Sequence, residues 1–334
     1  MPELNDGVVQ HEPTTACTKC GGPAVTRLAY NQQDLCRNCF CGQFEKRVRK
    51  ANHDFGLFRR GDVVAVAVSG GKDSTAMLFA LDKLARDYSF SLKPVLIDEG
   101  IGGYRNVAMK NAEQLCQKLG HELHVVTYKG EFGAGMDEVM QKRDGLALSA
   151  EGFDPKPSCT YCGVFRKQSL NKAALDVGAT KLAVGHNADD IGQTFLMNLL
   201  RSETRRIGRG GAVSGAVERG GLVTRVKPLV YNLEIECAIY CRLNSLPFHL
   251  GGCPYAAESF RGQVKDFLNA AEADKPGVKF NLLQSFLKLR EKMGDEAAGE
   301  LSYCSECGAP CGGAKCKACQ FGQELMISKP SRPD

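Results

Sequence analysis

The chain has 334 residues, with 43 Lys and Arg against 38 Asp and Glu, a formal charge of +5. That length holds one large α/β domain with small appendages, and the mild positive charge permits a nucleic-acid partner without requiring one. No apolar run reaches the length of a membrane span, and the acidic start Met1-Pro-Glu-Leu-Asn-Asp6 is unlike a signal sequence. The expected compartment is therefore the cytoplasm, where 16 cysteines point to metal ligands rather than to a disulfide scaffold.

The first dozen residues are polar and expected to be disordered. Cys17-Thr-Lys-Cys20 and Cys36-Arg-Asn-Cys39 then form two C-x-x-C pairs at the spacing of a tetrahedral thiolate site, for which zinc is the default ion. Gly21-Gly22 suits a knuckle turn whose amides bond the sulfurs, and Cys41 is an alternative to Cys39. Residues 44–58 read as an amphipathic helix whose Lys46, Arg47, Arg49 and Lys50 form either an RNA-facing or a merely solvated surface.

Val63-Val-Ala-Val-Ala-Val68 reads as a buried strand, and the run stops at Ser69-Gly70-Gly71-Lys72-Asp73-Ser74. Apolar residues at helical spacing follow from Thr75, so the loop joins a strand end to a helix start, where free amides attract phosphate. The Walker pattern fails, because Val66 occupies its first glycine position and Asp73 follows Lys72. The stretch resembles instead the pyrophosphate loop of the N-type ATP pyrophosphatases, which cleave ATP between the α and β phosphates. Strands over 92–98, 121–127 and 180–186 and helices over 104–119 and 163–177 continue the alternation and predict a parallel sheet covered on both faces. Ligands bind such sheets at the carboxyl ends of the strands. There lie the Ser69 to Ser74 loop, Ile97-Asp-Glu-Gly-Ile-Gly-Gly103 and Gly185-His-Asn-Ala-Asp-Asp190. Of Asp189 and Asp190, one is expected to hold magnesium or orient a leaving group while the other caps the following helix.

Cys159-Thr-Tyr-Cys162 has no second pair nearby, and Cys253 in Gly251-Gly-Cys-Pro-Tyr255 supplies a third thiol from an exposed tight loop. Three thiolates suit a [4Fe-4S] cluster with one open iron, a redox-active disulfide pair, or a site closed by a fourth ligand such as His249. Residues 201–221 are Gly-rich and cationic, with Arg201, Arg205, Arg206, Arg209 and Arg219, and form either a loop for an RNA backbone or a merely solvated surface loop. Helices are expected over 233–244, 260–271 and 280–293, with Cys237, Cys241 and Cys116 as core residues. Cys304-Ser-Glu-Cys307 and Cys316-Lys-Ala-Cys319 make a second knuckle, with Cys311 spare.

Together, SGGKDS, the knuckles at both ends, C-x-x-C-G-x-x-R, G-H-N-x-D-D and G-G-C-P-Y resemble the TtcA/TtuA group of tRNA thiolation enzymes. Within that group the likeness is greatest to the cytoplasmic tRNA 2-thiolation protein 1 (Ncs/Ctu) type, from Cys17 to Cys319. The resemblance implies an α/β Rossmann-like PP-loop domain over 62–295, joined by a linker helix over 43–61 to a zinc finger over 1–42 and followed by another over 296–334. It implies Cys159, Cys162 and Cys253 as cluster ligands, and Ser69 to Ser74, Arg166, Gly185 and Asp190 as the ATP site. Lys72, Asp73 and Asp190 would serve the chemistry, Arg166 standing where some relatives carry Lys. The implied reaction is adenylation of the C2 oxygen of a tRNA uridine, at the wobble position, by ATP with magnesium, followed by replacement with sulfur. The donor would be a ubiquitin-like sulfur carrier or inorganic sulfide, and the assembly a homodimer or a heterodimer with a paralogous subunit. The alternatives are thiolation at another position, as in ribothymidine thiolation, a non-catalytic RNA-binding subunit, and an amide-forming ATP pyrophosphatase.

Overall fold

The computed structural model describes residues 16–215, 221–293 and 302–328; the first dozen residues, Arg219 and the boundary expected at 295/296 lie outside them. The first knuckle rests on an antiparallel ribbon of β1 (Thr26–Leu28) and β2 (Gln33–Leu35). Helix α1 (Arg37–Phe55) starts inside the knuckle, seven residues before the expected 44, because Cys36 caps it by accepting from the Cys39 amide. It ends at Gly56, whose φ of +58° closes the last turn.

The central domain then alternates through β3 (Val63–Ala67), α2 (Lys72–Tyr88), β4 (Ser91–Asp98), α3 (Tyr104–Leu119) and β5 (His124–Thr127). Next come α4 (Tyr128–Phe132), α5 (Met136–Ser149), α6 (Ser158–Asp176), β6 (Lys181–Ala183) and α7 (Ala188–Leu200). A short α8 (Thr204–Gly208), β7 (Val213–Ser214), β8 (Thr224–Val226) and α9 (Glu234–Leu243) lead to α10 (Phe260–Asp274) and α11 (Val278–Met293). The second knuckle carries β9 (Ser302–Tyr303), β10 (Pro310–Cys311) and α12 (Lys317–Glu324).

The six-stranded sheet has the order β5-β4-β3-β6-β8-β7, parallel except for β7, which pairs antiparallel with β8 at the edge. The chain first extends the sheet from β3 through β4 to β5 and then returns to the other side of β3 with β6. That reversal opens a crevice at the carboxyl ends of β3 and β6, the usual ligand position in such sheets. The expected strand at 121–127 shrinks to β5 because His121 is instead held by Asp82, Nε2 to Oδ1 at 2.9 Å.

Side chains alternate across β3: Val64, Val66 and Val68 enter one core with α1, α2 and α9, while Ala65 enters the other with Val95, Ile97 and α6. Each knuckle belongs to a different core. Cys17, Leu28 and Leu35 join the first; Cys304, Cys307, Cys316, Cys319 and Phe321 join the second. The first knuckle is also tied down by Arg47, which pairs with the buried Glu236 at 2.6 Å and lies 5.5 Å from the centre of the Tyr30 ring. Removing one partner of such a buried pair costs about 3–5 kcal/mol. No helix among the described residues is long and apolar enough to cross a membrane.

Candidate nucleotide and thiol site

The loop after β3 is shaped by its first glycine. Gly70 has φ +79°, and a Cβ there would stand 1.9 Å from the Ala108 carbonyl oxygen, so α3 packs directly on the loop. The two serines lock the turn, Ser69 N donating to Ser74 Oγ at 3.0 Å and Ser74 Oγ donating to the Gly71 carbonyl at 3.1 Å. Gly71 is the N-cap of α2, which leaves the first amides of that helix at the open sheet edge. Gly185, at the end of β6, brings that strand against the same turn: a Cβ there would meet Ser74 N at 3.2 Å.

Lys72 Nζ lies 2.7 Å from Glu234 Oε1 and 3.3 Å from Asp73 Oδ2. Burial pulls its pKa down, but the two carboxylates more than offset this and hold the ammonium form. Asp73 is pushed up to about 6 by burial, against the pull of Lys72, with the Asp190 and Glu234 charges adding to the rise. Asn187 donates to Asp73 Oδ1 at 3.0 Å and also caps α7, accepting from the Asp190 amide. The capping role expected of one aspartate thus falls mainly to Asn187, with Asp190 returning a bond to the Asn187 amide at 3.2 Å. Asp189 is buried and structural, 2.5 Å from Lys279 Nζ and accepting from the Glu234 amide. Asp190 alone of the two lines the cavity beside the site.

The thiols are assembled from distant segments. Cys159 and Cys162 occupy the first turn of α6, which starts at Ser158 rather than at the expected 163. The turn is capped by Glu258, whose Oε2 accepts from the Ser158 amide at 2.8 Å while Arg143 holds the same carboxylate. Glu258 ends the short 3₁₀ turn that begins just after Cys253, so this cap draws the third thiol toward the first two. Cys159 is exposed, Cys253 half-buried and Cys162 buried. Burial pushes the Cys162 thiol up, opposed by Arg166, whose Nη2 is 3.1 Å from the sulfur, and by Tyr128, whose hydroxyl is 3.6 Å away.

A chain of charges connects the thiols to the loop. Arg105 is buried, donates to the Ser69 and Ile97 carbonyls, and pairs with Glu99 at 3.0 Å. The other Glu99 oxygen pairs with Arg166 Nε at 3.0 Å, and Arg166 reaches Cys162. A cavity of about 1010 Å³ opens beside Arg166 and Asp190. Its walls are cationic, with Lys167, Arg206, Arg209, Arg225, Lys227 and Lys317, and the second knuckle forms one side through residues 309–312 and 316–318.

Residues 17–41 match the family described as 2-thiouridine synthetase TtuA, N-terminal LIM domain, and residues 62–206 match the tRNA methyl transferase HUP domain. Cytoplasmic tRNA 2-thiolation protein 1 of Danio rerio is 34% identical over 317 residues, covering 94% of this chain and 89% of its own. The tRNA 2-thiolation protein NcsA of Haloferax volcanii is 34% identical over 327 residues, covering 92% and 98%. The chain belongs to the tRNA 2-thiolation protein family. Its fold is similar to that of the U34-tRNA thiolase NcsA from Methanococcus maripaludis with its [4Fe-4S] cluster, at a TM-score of 0.78 and 28% identity over 96% of this chain and 99% of that one.

As in the reading from spacing, the knuckle sulfurs of this tRNA 2-thiolation protein gather as Cys17, Cys20, Cys36, Cys39 and as Cys304, Cys307, Cys316, Cys319. Among the described residues, these are the two sets whose ligand atoms all lie within 4.8 Å of one another. Cys41 instead accepts from Asn244 at 3.4 Å, and Cys311 Sγ donates to the Gly313 carbonyl at 2.9 Å. Cys116, Cys237 and Cys241 are buried in the core. His249 lies against the loop, its amide donating to the Gly70 carbonyl at 2.9 Å. Of the basic face on α1, Arg47 is in the buried pair already described, Arg49 pairs with Asp87 and Lys50 with Asp54 at the surface, and Lys46 and Lys50 are exposed. Glu99, Arg105, Glu234, Glu258 and Lys227 escaped sequence reasoning. Glu99 stands inside a stretch that had been placed at the sheet edge, so position was a signal for it.

Proposed function

We propose that this chain is a tRNA sulfurtransferase that replaces the C2 oxygen of a tRNA uridine with sulfur in two half-reactions at one sheet edge. What carries this reading is the junction of a pyrophosphate loop and a three-thiol cluster of residues through Arg105, Glu99 and Arg166. ATP lies with its β and γ phosphates on the Ser69 to Ser74 loop, held by the α2 amides and by Lys72, which leaves Glu234 for phosphate oxygens. Gly185 and Asp190 line the nucleotide from the β6 side. Asp73 is the carboxylate suited to magnesium, which would neutralise phosphate charge there.

The uridine C2 oxygen attacks the α phosphorus, pyrophosphate leaves, and the adenylated carbon becomes open to sulfur because AMP is a far better leaving group than oxide. Cys159, Cys162 and Cys253 fit a [4Fe-4S] cluster, for the donors are two thiols in the first turn of α6 and a third from the loop before Pro254, beside a guanidinium and spaced more openly than the knuckle sulfurs. When bound, that group supplies a site for the incoming sulfur. Arg166 bonds Cys162 and stays in reach of the departing phosphate. The two four-thiol knuckles would hold structural zinc. A cytoplasmic location, the wobble uridine as target, a sulfur-carrier protein or sulfide as donor and a dimeric assembly complete the proposal, with the domains divided at 42, 61 and 295.

The experiment is thiolation of a tRNA transcript with ATP and sulfide, with iron measured on the same anaerobic sample before and after chelation. We expect about four irons per chain on the [4Fe-4S] reading, loss of thiolation with loss of iron, and no thiolation by Lys72→Ala at unchanged zinc content. Iron-free protein that still thiolates would eliminate the cluster. An active Lys72→Ala variant would remove the loop from the chemistry.

A further inference from the structure

Adenylation of uridine raises a proton question that the residues named above leave open. As the C2 oxygen bonds to phosphorus, the N3–H bond pair has to become the N3=C2 double bond, so the N3 proton needs an acceptor. Lys227 stands at the carboxyl end of β8, the strand beside β6, and its side chain lines the same cavity as Arg166 and Asp190. Its main chain is fixed, the amide donating to the Ala212 carbonyl at 2.8 Å and the carbonyl accepting from the Val230 amide at 3.3 Å. Among the described residues no carboxylate forms an ion pair with it.

We propose that Lys227 is the base that takes the N3 proton of the target uridine during adenylation. The bonds balance without any further reactant. Neutral Nζ takes the proton, the N3–H pair forms N3=C2, the C2=O π pair forms the O–P bond, and the bond from the α phosphorus to pyrophosphate breaks with its pair leaving on pyrophosphate.

The charges around Lys227 suit the task. Burial lowers its pKa to about 8, opposed by Asp190 on α7 and assisted by Arg290 on α11, Arg225 on its own strand and Lys167 on α6. His186, after β6, lines the same cavity, near enough for the Lys227 charge to disfavour its protonated form. A neutral amine is thus about a tenth of the enzyme at pH 7, far more than an ordinary surface lysine would provide.

This inference rests on the adenylation reading, and the test separates the two. Single-turnover pyrophosphate release is followed with ATP and a tRNA transcript, without a sulfur donor, across pH. Wild-type protein should show a rate rising about tenfold per pH unit below about 8 and levelling above it. Lys227→Arg keeps the charge for any phosphate contact but does not deprotonate, so its rate should fall by about 10²–10⁴ with tRNA affinity unchanged. A transcript carrying 5-fluorouridine at the target, whose N3 proton is more acidic, should restore more of the rate to the variant than to wild type. A variant at the wild-type rate overturns the proposal. So does a loss confined to tRNA binding that fluorouridine does not recover, which would make Lys227 a phosphate contact. If wild-type protein releases no pyrophosphate with tRNA, adenylation itself falls and the proposal with it. If the variant does not fold, the wild-type profile decides, a flat profile counting against Lys227.

Discussion

The knuckle cysteines and the three thiols near the loop are partnered in opposite ways. In the knuckles, sulfur faces sulfur, Cys20 to Cys36 at 3.6 Å and Cys307 to Cys316 at 3.7 Å, and the donors to sulfur include main-chain amides such as Cys316 N on Cys304 at 3.3 Å. Those amides, with Cys307 and Glu306 assisting, bring Cys304 down to about 6 although burial works the other way. Cys162 is addressed instead by side chains, Arg166 one turn further along α6 and Tyr128 from α4. A site built mainly from its own turns, with Gln168 of α6 reaching Cys307 at 3.7 Å from outside, is closed largely by local geometry and serves structure. A site whose partners are borrowed from α4 and from further along α6 can be tuned by them, and each tuning residue is exposed to mutation separately.

The comparison can be broken first at the second knuckle, where the largest effect is expected. Cys304→Ser should remove one of two zinc ions and release α12 from α6, where the Tyr161 and Phe321 rings lie 4.6 Å apart and Tyr161 donates to Glu324 at 2.8 Å. The expected cost is at least about 3 kcal/mol, read as a lower melting temperature together with the zinc count. An unchanged zinc content would sink the ligand assignment. A smaller effect, confined to chemistry, is expected from Glu99→Gln. It keeps the shape but removes the charge between Arg105 and Arg166, so thiolation should fall about 10–100-fold with zinc unaltered. Full activity would show that Arg166 needs no carboxylate to hold it. The smallest effect is expected from Cys41→Ser and Cys311→Ser, which should keep both zinc ions and shift stability by no more than about 0.5 kcal/mol. Loss of an ion from either would mean that the fourth ligand of that knuckle has been misassigned.

These differences also explain what could be read before the fold was known. The β3 strand and its loop were legible because six aliphatic residues run straight into two glycines, and the knuckles because their ligands lie close in sequence. The edge strand β7 and its neighbour β8 have two and three residues, too few to show a period. Helix α5 carries its buried residues Met136, Val139 and Met140 at one end only, so no stripe marks its length. Pro155 and Pro157 mark a loop that runs right up to Cys159, and Pro157 is the N-cap of α6, so the helix starts at Ser158, five residues before the expected 163. The cap itself, Glu258, lies 100 residues away, and the contact between Glu99 and Arg166 spans 67. Pairings of that kind are decided by the sheet topology, which local patterns do not reveal.

The division of the two knuckles between opposite faces of the sheet also sets an order in time. Most of the first core that supports the loop, including Cys17, Leu35 and α9, has been made by residue 243, and His249, whose amide holds Gly70, with Leu283 and Phe286 of the same core follow before the second knuckle begins. The face that carries the thiols remains uncovered until Cys304 to Leu325 emerge and Phe321 settles against Tyr161. A nascent chain therefore completes the core beside the Ser69 to Ser74 loop while the half that carries the thiols is still open to solvent and to oxidants, and the last four-cysteine knuckle to form is also the one that shuts that half.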